Sequence, residues 1–197
     1  MNRPTARRAA VAVTAGLALS FAAALPAQAA DSTVTEAQWL SDVAAVTGPA
    51  QTHIDNRAAA NTSGAEQAIV LDIDNASLET HFEGGITVPA TPPVPALAQD
   101  AHAKGIGVFF VSARSDLYNV VTRANLKSVG YPVDGLYART VAQPLTESVA
   151  DFKTSQRKAI EANGYDIIAD IGNNTADLTG GYADTTCKLP DYDGLLD

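Results

Sequence analysis

AIVLDIDNAS, residues 68–77, is the stretch on which the fold turns. From Ala68 to Ile73 it is apolar apart from Asp72 and shows no polar alternation, the pattern of a strand covered on both faces. Three more runs of strand length follow: GVFFVS (107–112), DGLYA (134–138) and DIIADIG (166–172). Amphipathic segments lie between them, and their periods predict helices near Val94 to Lys104, Leu117 to Val129 and Ala150 to Asn163. Gly105, Gly130 and Gly164 stand just past their ends, where a left-handed cap is wanted. Strands alternating with helices in this way predict an α/β doubly wound parallel sheet, with ligands at the carboxyl ends of the strands.

Upstream of the first run, Thr33 to Glu36 has the form of a capping box and opens an apolar-periodic helix with Trp39, Leu40, Val43 and Val46. A second, Ala-rich helix is expected from Gln51 to about Ala60, before the Asn-Thr-Ser-Gly turn at 61–64. Downstream, Glu83 to Pro95 is rich in Gly and Pro without a strong period, and reads as a loop bordering the site.

Residues 1–30 read as an export signal. Arg3, Arg7 and Arg8 precede an apolar run from Ala9 to Leu25, then Pro26 and the small-x-small tripeptide Ala27-Gln28-Ala29. A membrane anchor is the alternative, but the run is nearer a signal core than a span of roughly 20 residues, and a processing site follows it. Arg7-Arg8 lacks the usual twin-arginine continuation, so the export route stays open. The expected organisation is a signal at 1–30 and one domain at 31–197, about 167 residues long, with a core large enough to need no staples.

Removing the signal takes away only basic charges. What remains is 10 Lys and Arg against 22 Asp and Glu, a net charge of about −12, which argues against nucleic acid or an anionic membrane as partner. A small substrate fits better. The single cysteine, Cys187, excludes an intramolecular disulfide and reads as a small core residue beside a terminal strand. Oligomeric state is not legible.

Asp72-Ile73-Asp74 ends the first strand. Two carboxylates so close repel unless a cation or a proton is shared, and such a pair can divide labour between attack on phosphorus and proton transfer. The plainer alternative is a strand ending in solvated acids. The second run ends in Ser112-Ala113-Arg114, where a hydroxyl at the sheet edge suits a phosphoryl oxygen and Arg114 is by default a surface charge. Lys153 begins the last helix, and Gly172-Asn173-Asn174-Thr175-Ala176-Asp177 offers amide and carboxylate oxygens to a hard cation.

The order of these features, acidic pair, Ser, Lys, acidic turn, resembles the four motifs of the haloacid dehalogenase superfamily. TRANLKSVGYPVDGLYAR (122–139), DFKTSQRKAIEANGYDIIADIGNNTADLTGG (151–181) and CKLPD (187–191) are similar to its acid phosphatase subfamily, which includes plant vegetative storage proteins and bacterial secreted acid phosphatases. The resemblance runs from Trp39 to Pro190. It implies a core with N-terminal helices and a small or minimal cap, and hydrolysis of small phosphate monoesters. It further implies Asp72 as nucleophile, Asp74 as general acid and base, Ser112 as phosphoryl donor and Lys153 as charge stabiliser. Mg²⁺ is implied on Asp72, the Asp74 carbonyl, Asn173 and Asp177.

Two positions depart from the family pattern. Ala76 stands where Thr is usual, so a hydroxyl that helps hold the first loop is expected to be missing, with Ser77 pointing elsewhere. Asn173 stands where the turn normally has Asp, which removes one negative charge and predicts weaker metal binding. A catalytically impaired binding or storage protein on the same fold is therefore the competing reading. Among the other polar residues His53, His81 and His102 lack ligand spacing, Arg139 reads as a structural ion pair or a distant site residue, and Trp39 and the tyrosines at 118, 131, 137 and 165 read as core and rim packing.

Overall fold

A computed structural model describes residues 34–196 apart from 86 and 143–145. The export signal expected at 1–30 lies outside the described residues, as does Thr33. Five strands, β1 (Glu66–Leu71), β2 (Gly107–Ser115), β3 (Gly135–Arg139), β4 (Tyr165–Gly172) and β5 (Thr186–Lys188), form one sheet in the order β3-β2-β1-β4-β5. Every pairing is parallel. The α/β doubly wound sheet expected from the four apolar runs is therefore the fold, with β5 added at one edge.

Alternate residues of β1 explain why its run is apolar throughout. Ile69 and Leu71 pack with Val108, Phe110 and Ile171 beneath α1 (Glu36–Ala60) and α2 (Val94–Ala103). Ala68 and Val70 face the other way, onto Phe109, Val111 and Ile167 and onto Phe152 and Ile160 of α4 (Val149–Ala162). A side-chain period of two thus loads both layers from one strand. β3 is half-buried along its whole length because it is an edge strand. Leu126 of α3 (Asn119–Ser128) is buried on the α1 side.

The N-terminal region differs from expectation in two ways. One helix of 25 residues replaces the two predicted, and it runs straight through Pro49. Proline removes a backbone donor and crowds the preceding turn, yet Trp39, Val43, Thr47, Ala50 and Ile54 form a single buried stripe across it. That shared face continues on both sides of the proline. The cap is Thr35, whose hydroxyl accepts from the Gln38 amide at 3.2 Å, so the helix starts later than a box beginning at Thr33 requires. Among the described residues no helix is long and apolar enough to cross a membrane.

Gly105, Gly130 and Gly164 do take positive φ after α2, α3 and α4. Among the described residues between β1 and α2 there is no helix or named strand, and isolated bridges pair Asp74 with Leu78 and Leu78 with Ala90. Strand order reverses at β1, which has β2 on one side and β4 on the other, and a crevice opens at such a switch point outside the carboxyl ends.

Candidate active site

The crevice is a cavity of about 360 Å³ lined by Asp72, Asp74, Lys153, Asn173 and Asp177, with Asn75, Ala113 and Leu196 at its sides. Asp72 follows β1 and its amide still donates to the Ile171 carbonyl across the β1/β4 pairing, at 2.9 Å. The chain then turns tightly, with the amides of Ser77 and Leu78 both donating to the Ile73 carbonyl and Asn75 at positive φ. The Ser77 hydroxyl, fully buried, donates to the Asp72 carbonyl at 2.6 Å. Ser77 therefore points into the loop, contrary to expectation, and supplies a tie where Ala76 has none. Ala76 faces the core instead.

Asn75 closes the other side of this loop. Its side chain accepts from the Thr80 hydroxyl and the His81 amide, and donates to the Leu196 carbonyl, which ties the first loop to the C-terminal segment. Sequence reasoning missed this residue; an Asn directly after an acidic pair, able to adopt a left-handed conformation, is the only local signal.

Lys153 is the fifth residue of α4, in its second turn, and Ser148 caps the helix. Its ammonium is buried and donates to carboxylate oxygens of both Asp72 and Asp177. Asp177 uses its second oxygen to accept from the Asn174 amide at 2.8 Å, within a capping box on the short helix α5 (Thr175–Leu178). Gly172 permits this approach, since a Cβ there would stand 2.5 Å from Asp177. One ammonium between two carboxylates leaves an excess negative charge in a buried place. Burial accordingly pushes Asp72 up to about 7, against the pull of Lys153 and with a further push from Asp177. Burial would lower Lys153, but the two carboxylates outweigh it and hold it above its ordinary value. The two shifts favour opposite members of the pair; the surplus anion reconciles them, because Lys153 stays charged while Asp72 is the group that seeks a proton or a cation.

Asp74 is half-exposed and turned to Arg114, which grips it at both oxygens, with Nε–Oδ2 at 2.9 Å and Nη2–Oδ1 at 2.7 Å. Arg114 is thus ion-paired with Asp74 and not the free surface charge expected. Ser112 is buried and accepts from the Arg114 amide at 3.2 Å; it does not line the cavity, where Ala113 stands instead. A second missed pair lies behind Asp177. Arg157, with no exposed surface, donates to the carbonyls of Asp177, Thr179 and Gly181, and its Nη1 stands 3.0 Å from buried Asp170. Burial raises the Asp170 carboxyl to about 7, although the Arg157 charge opposes that.

The donor set suits a hard divalent cation. Asp72 and Asp177 offer carboxylates, and Asn173, almost fully buried, lines the same cavity with an amide that bonds to no described side chain or backbone group. Among the described residues no three His, Cys, Asp or Glu gather into a metal cluster; here the third position is an amide, and Lys153 stands between the acids. The excess negative charge is what a cation would neutralise.

The remaining sequence expectations fall away from this cavity. His53 bonds the Ile168 carbonyl at 3.0 Å, His102 stands 3.3 Å from Asp134, and exposed His81 packs its ring on Phe82. Arg139 donates to the Glu147 carbonyl at 2.7 Å, a structural bond. Cys187 lies within β5, half-buried, its thiol pushed up to about 11 by burial, which disfavours the thiolate. Trp39 is core, but Tyr118 is exposed.

Residues 79–195 match the HAD superfamily, subfamily IIIB (acid phosphatase). The matched span begins after the Asp72 and Asp74 loop. In Glycine max, the stem 28 kDa glycoprotein and the stem 31 kDa glycoprotein are each 30% identical to this chain over 119 residues, 59% of its length. That stretch is 47% and 41% of the two relatives, so the chain spans about half their length or less. The class C acid phosphatase from Bacillus anthracis has a similar structure, with a TM-score of 0.61 and 20% identity over 74% of this chain and 67% of that one. Its tungstate-bound form gives 0.59 and 20% over 75% and 68%. The chain belongs to the acid phosphatases of HAD subfamily IIIB.

Proposed function

We propose that this protein is an exported, Mg²⁺-dependent phosphatase that hydrolyses small phosphate monoesters through an aspartyl-phosphate. The observation that carries the reading is the meeting of Asp72, Lys153 and Asp177 in one cavity, with Asp74 at its rim and Asn173 in its wall. A carboxylate oxygen of Asp72 attacks phosphorus, and the bond from phosphorus to the ester oxygen breaks. Asp74 protonates that oxygen as it leaves, then accepts a proton from the water that attacks phosphorus and frees Asp72 and inorganic phosphate. Lys153 stabilises the negative charge of the phosphoryl group, the dominant contribution in phosphoryl transfer. Mg²⁺ would be held by Asp72, the Asp74 carbonyl, Asn173 and Asp177, and would supply further charge neutralisation. Ser112 acts from behind the wall, fixing the backbone at Ala113 and Arg114. Export rests on the signal-like residues 1–30, and the strongly acidic mature chain supports a small substrate over nucleic acid or membrane.

Assay of the mature chain with a chromogenic phosphate ester tests this. Hydrolysis is expected to cease in EDTA, to return with Mg²⁺ and to fall by a factor of about 10³ or more in Asp72→Asn. Turnover indifferent to both treatments rejects the mechanism. Asn173 favours a second reading, a binding or storage protein of reduced activity, because it removes a carboxylate from the cation site. The loop tie supplied by Ser77 weakens the other ground for it.

A further inference from the structure

Beyond β5 the chain returns to the active site. Leu189, fully buried, donates its amide to the Gly172 carbonyl at 2.8 Å, and further on the Leu196 carbonyl accepts from the Asn75 side chain. Leu196 is also fully buried and forms part of the cavity wall. We infer that the turn 191–196 positions the acidic loop 72–75 for cation binding, and that Asn75 is the positioning residue through which it acts. The inference rests on the phosphatase reading and adds a second part of the chain to its cation site.

The polarity of its partners fixes how Asn75 is turned. Its Oδ1 accepts from the Thr80 hydroxyl at 3.0 Å and from the His81 backbone amide at 2.6 Å, so the amino end is the one that faces the Leu196 carbonyl. The backbone amide of Asn75 donates to the Leu78 carbonyl at 2.9 Å, and its φ is 53°. A residue held at both backbone and side chain, in a conformation that non-glycine residues rarely adopt, leaves the preceding Asp74 carbonyl little freedom. That carbonyl is a proposed cation ligand, and the groups behind a ligand set where it points.

The turn is itself held in place. Tyr192, Asp193 and Gly194 all have positive φ, and a left-handed conformation at two non-glycine residues persists only where the surroundings impose it. The Tyr192 hydroxyl donates to Asp42 of α1 at 2.6 Å, and Lys188 pairs with Asp191 at 2.8 Å. Within the turn the amides of Leu195 and Leu196 donate to the carbonyls of Tyr192 and Asp191, each at 3.2 Å. Leu196 belongs to the same core as Trp39 and Ile73. Asn75 thus bonds to a fixed point of the fold and not to a loose end.

Calorimetric titration with Mg²⁺ tests the inference without relying on turnover. A chain ending at Pro190, which lacks the turn, and Asn75→Ala are each expected to bind Mg²⁺ about tenfold more weakly than the parent. The combination is expected to bind no more weakly than either alone, since both break one link. Tyr192→Phe, which frees the turn from α1 without touching the cavity, should weaken binding about threefold. Reciprocally, Mg²⁺ should slow amide exchange in residues 191–196 of the parent chain about tenfold, an effect lost in Asn75→Ala. Affinities unchanged in the shortened chain or in Tyr192→Phe, losses that add in the combination, or exchange indifferent to Mg²⁺ overturn the inference; a merely structural turn lowers thermal stability and leaves the affinity as it was. If the shortened chain does not fold, Asn75→Ala and Tyr192→Phe decide by the same two readouts. A parent chain that binds no Mg²⁺ overturns the inference as well. Failure of the phosphatase reading alone shows separately, as ester hydrolysis unchanged in Asp72→Asn while the Mg²⁺ affinities still differ as expected.

Discussion

Lys153 and Arg157 stand one helical turn apart on α4 and grip Asp177 at its two ends, Lys153 at the carboxylate and Arg157 at the backbone carbonyl. Residues four apart share a helix face, so one face of α4 both neutralises the acid and fixes the chain that carries it. The two cations have separable roles, and substitution distinguishes them.

Lys153→Met leaves Asp72 and Asp177 opposed without a cation between them. Phosphatase turnover is expected to fall by a factor of about 10² to 10³. Stability in EDTA, measured by urea unfolding, should drop by about 3 kcal/mol, the effect of breaking a buried pair. Lys153→Arg should not restore activity, since a planar fork does not fit where a compact ammonium meets two carboxylates from one point. An active, stable Lys153→Met protein contradicts the role assigned to this residue.

Arg157→Met removes the donor to three carbonyls and strands Asp170 in the core. The loss in unfolding free energy is expected to be about 3–5 kcal/mol. In the double variant Arg157→Met/Asp170→Asn part of that stability returns, while the Mg²⁺ concentration for half-maximal activity stays raised because Asp177 has lost its brace. A double variant with unchanged Mg²⁺ dependence shows that Arg157 does not position Asp177.

Asn173→Asp adds a carboxylate to a site that has two. The Mg²⁺ requirement, read as the concentration giving half-maximal hydrolysis, is expected to fall about tenfold through the added charge. Ala76→Thr, by contrast, inserts a hydroxyl into a buried core position where Ser77 already ties the loop; thermal unfolding should show a loss and activity no gain.

Two buried carboxyls outside the cation site set a pH dependence of stability. Burial raises Asp170 to about 7, and burial followed by repulsion from Glu36 and Glu83 raises Glu79 to about 7. Between the ordinary carboxyl range and about 7 the folded protein keeps protons that the unfolded chain has released. Their contribution is therefore complete below the ordinary range and is lost as pH rises towards 7. Urea unfolding in EDTA should show a stability lower at pH 8 than at pH 5 by on the order of 2–4 kcal/mol. Glu79→Gln with Asp170→Asn should reduce that slope, leaving the share of Asp72, which burial raises into the same window, and stability rising with pH over this window is the contrary result.

Local pattern in the chain was enough for much of this architecture. Four apolar runs, the helices between them and the closing glycines are consequences of side-chain period and backbone sterics, which act over a few residues and so can be read from them. Asp72, Lys153 and Asp177 could be singled out because strand ends and a helix start place them at one edge of a parallel sheet. Pairings across the sheet order were beyond such reading: Arg114 with Asp74, Arg157 with Asp170, and Asn75 with Leu196 join residues 13 to 121 positions apart. The uninterrupted passage of α1 through Pro49 and the exposure of Tyr118 belong with them. In each case the outcome depends on what packs against the residue, and only the assembled layers supply that neighbour.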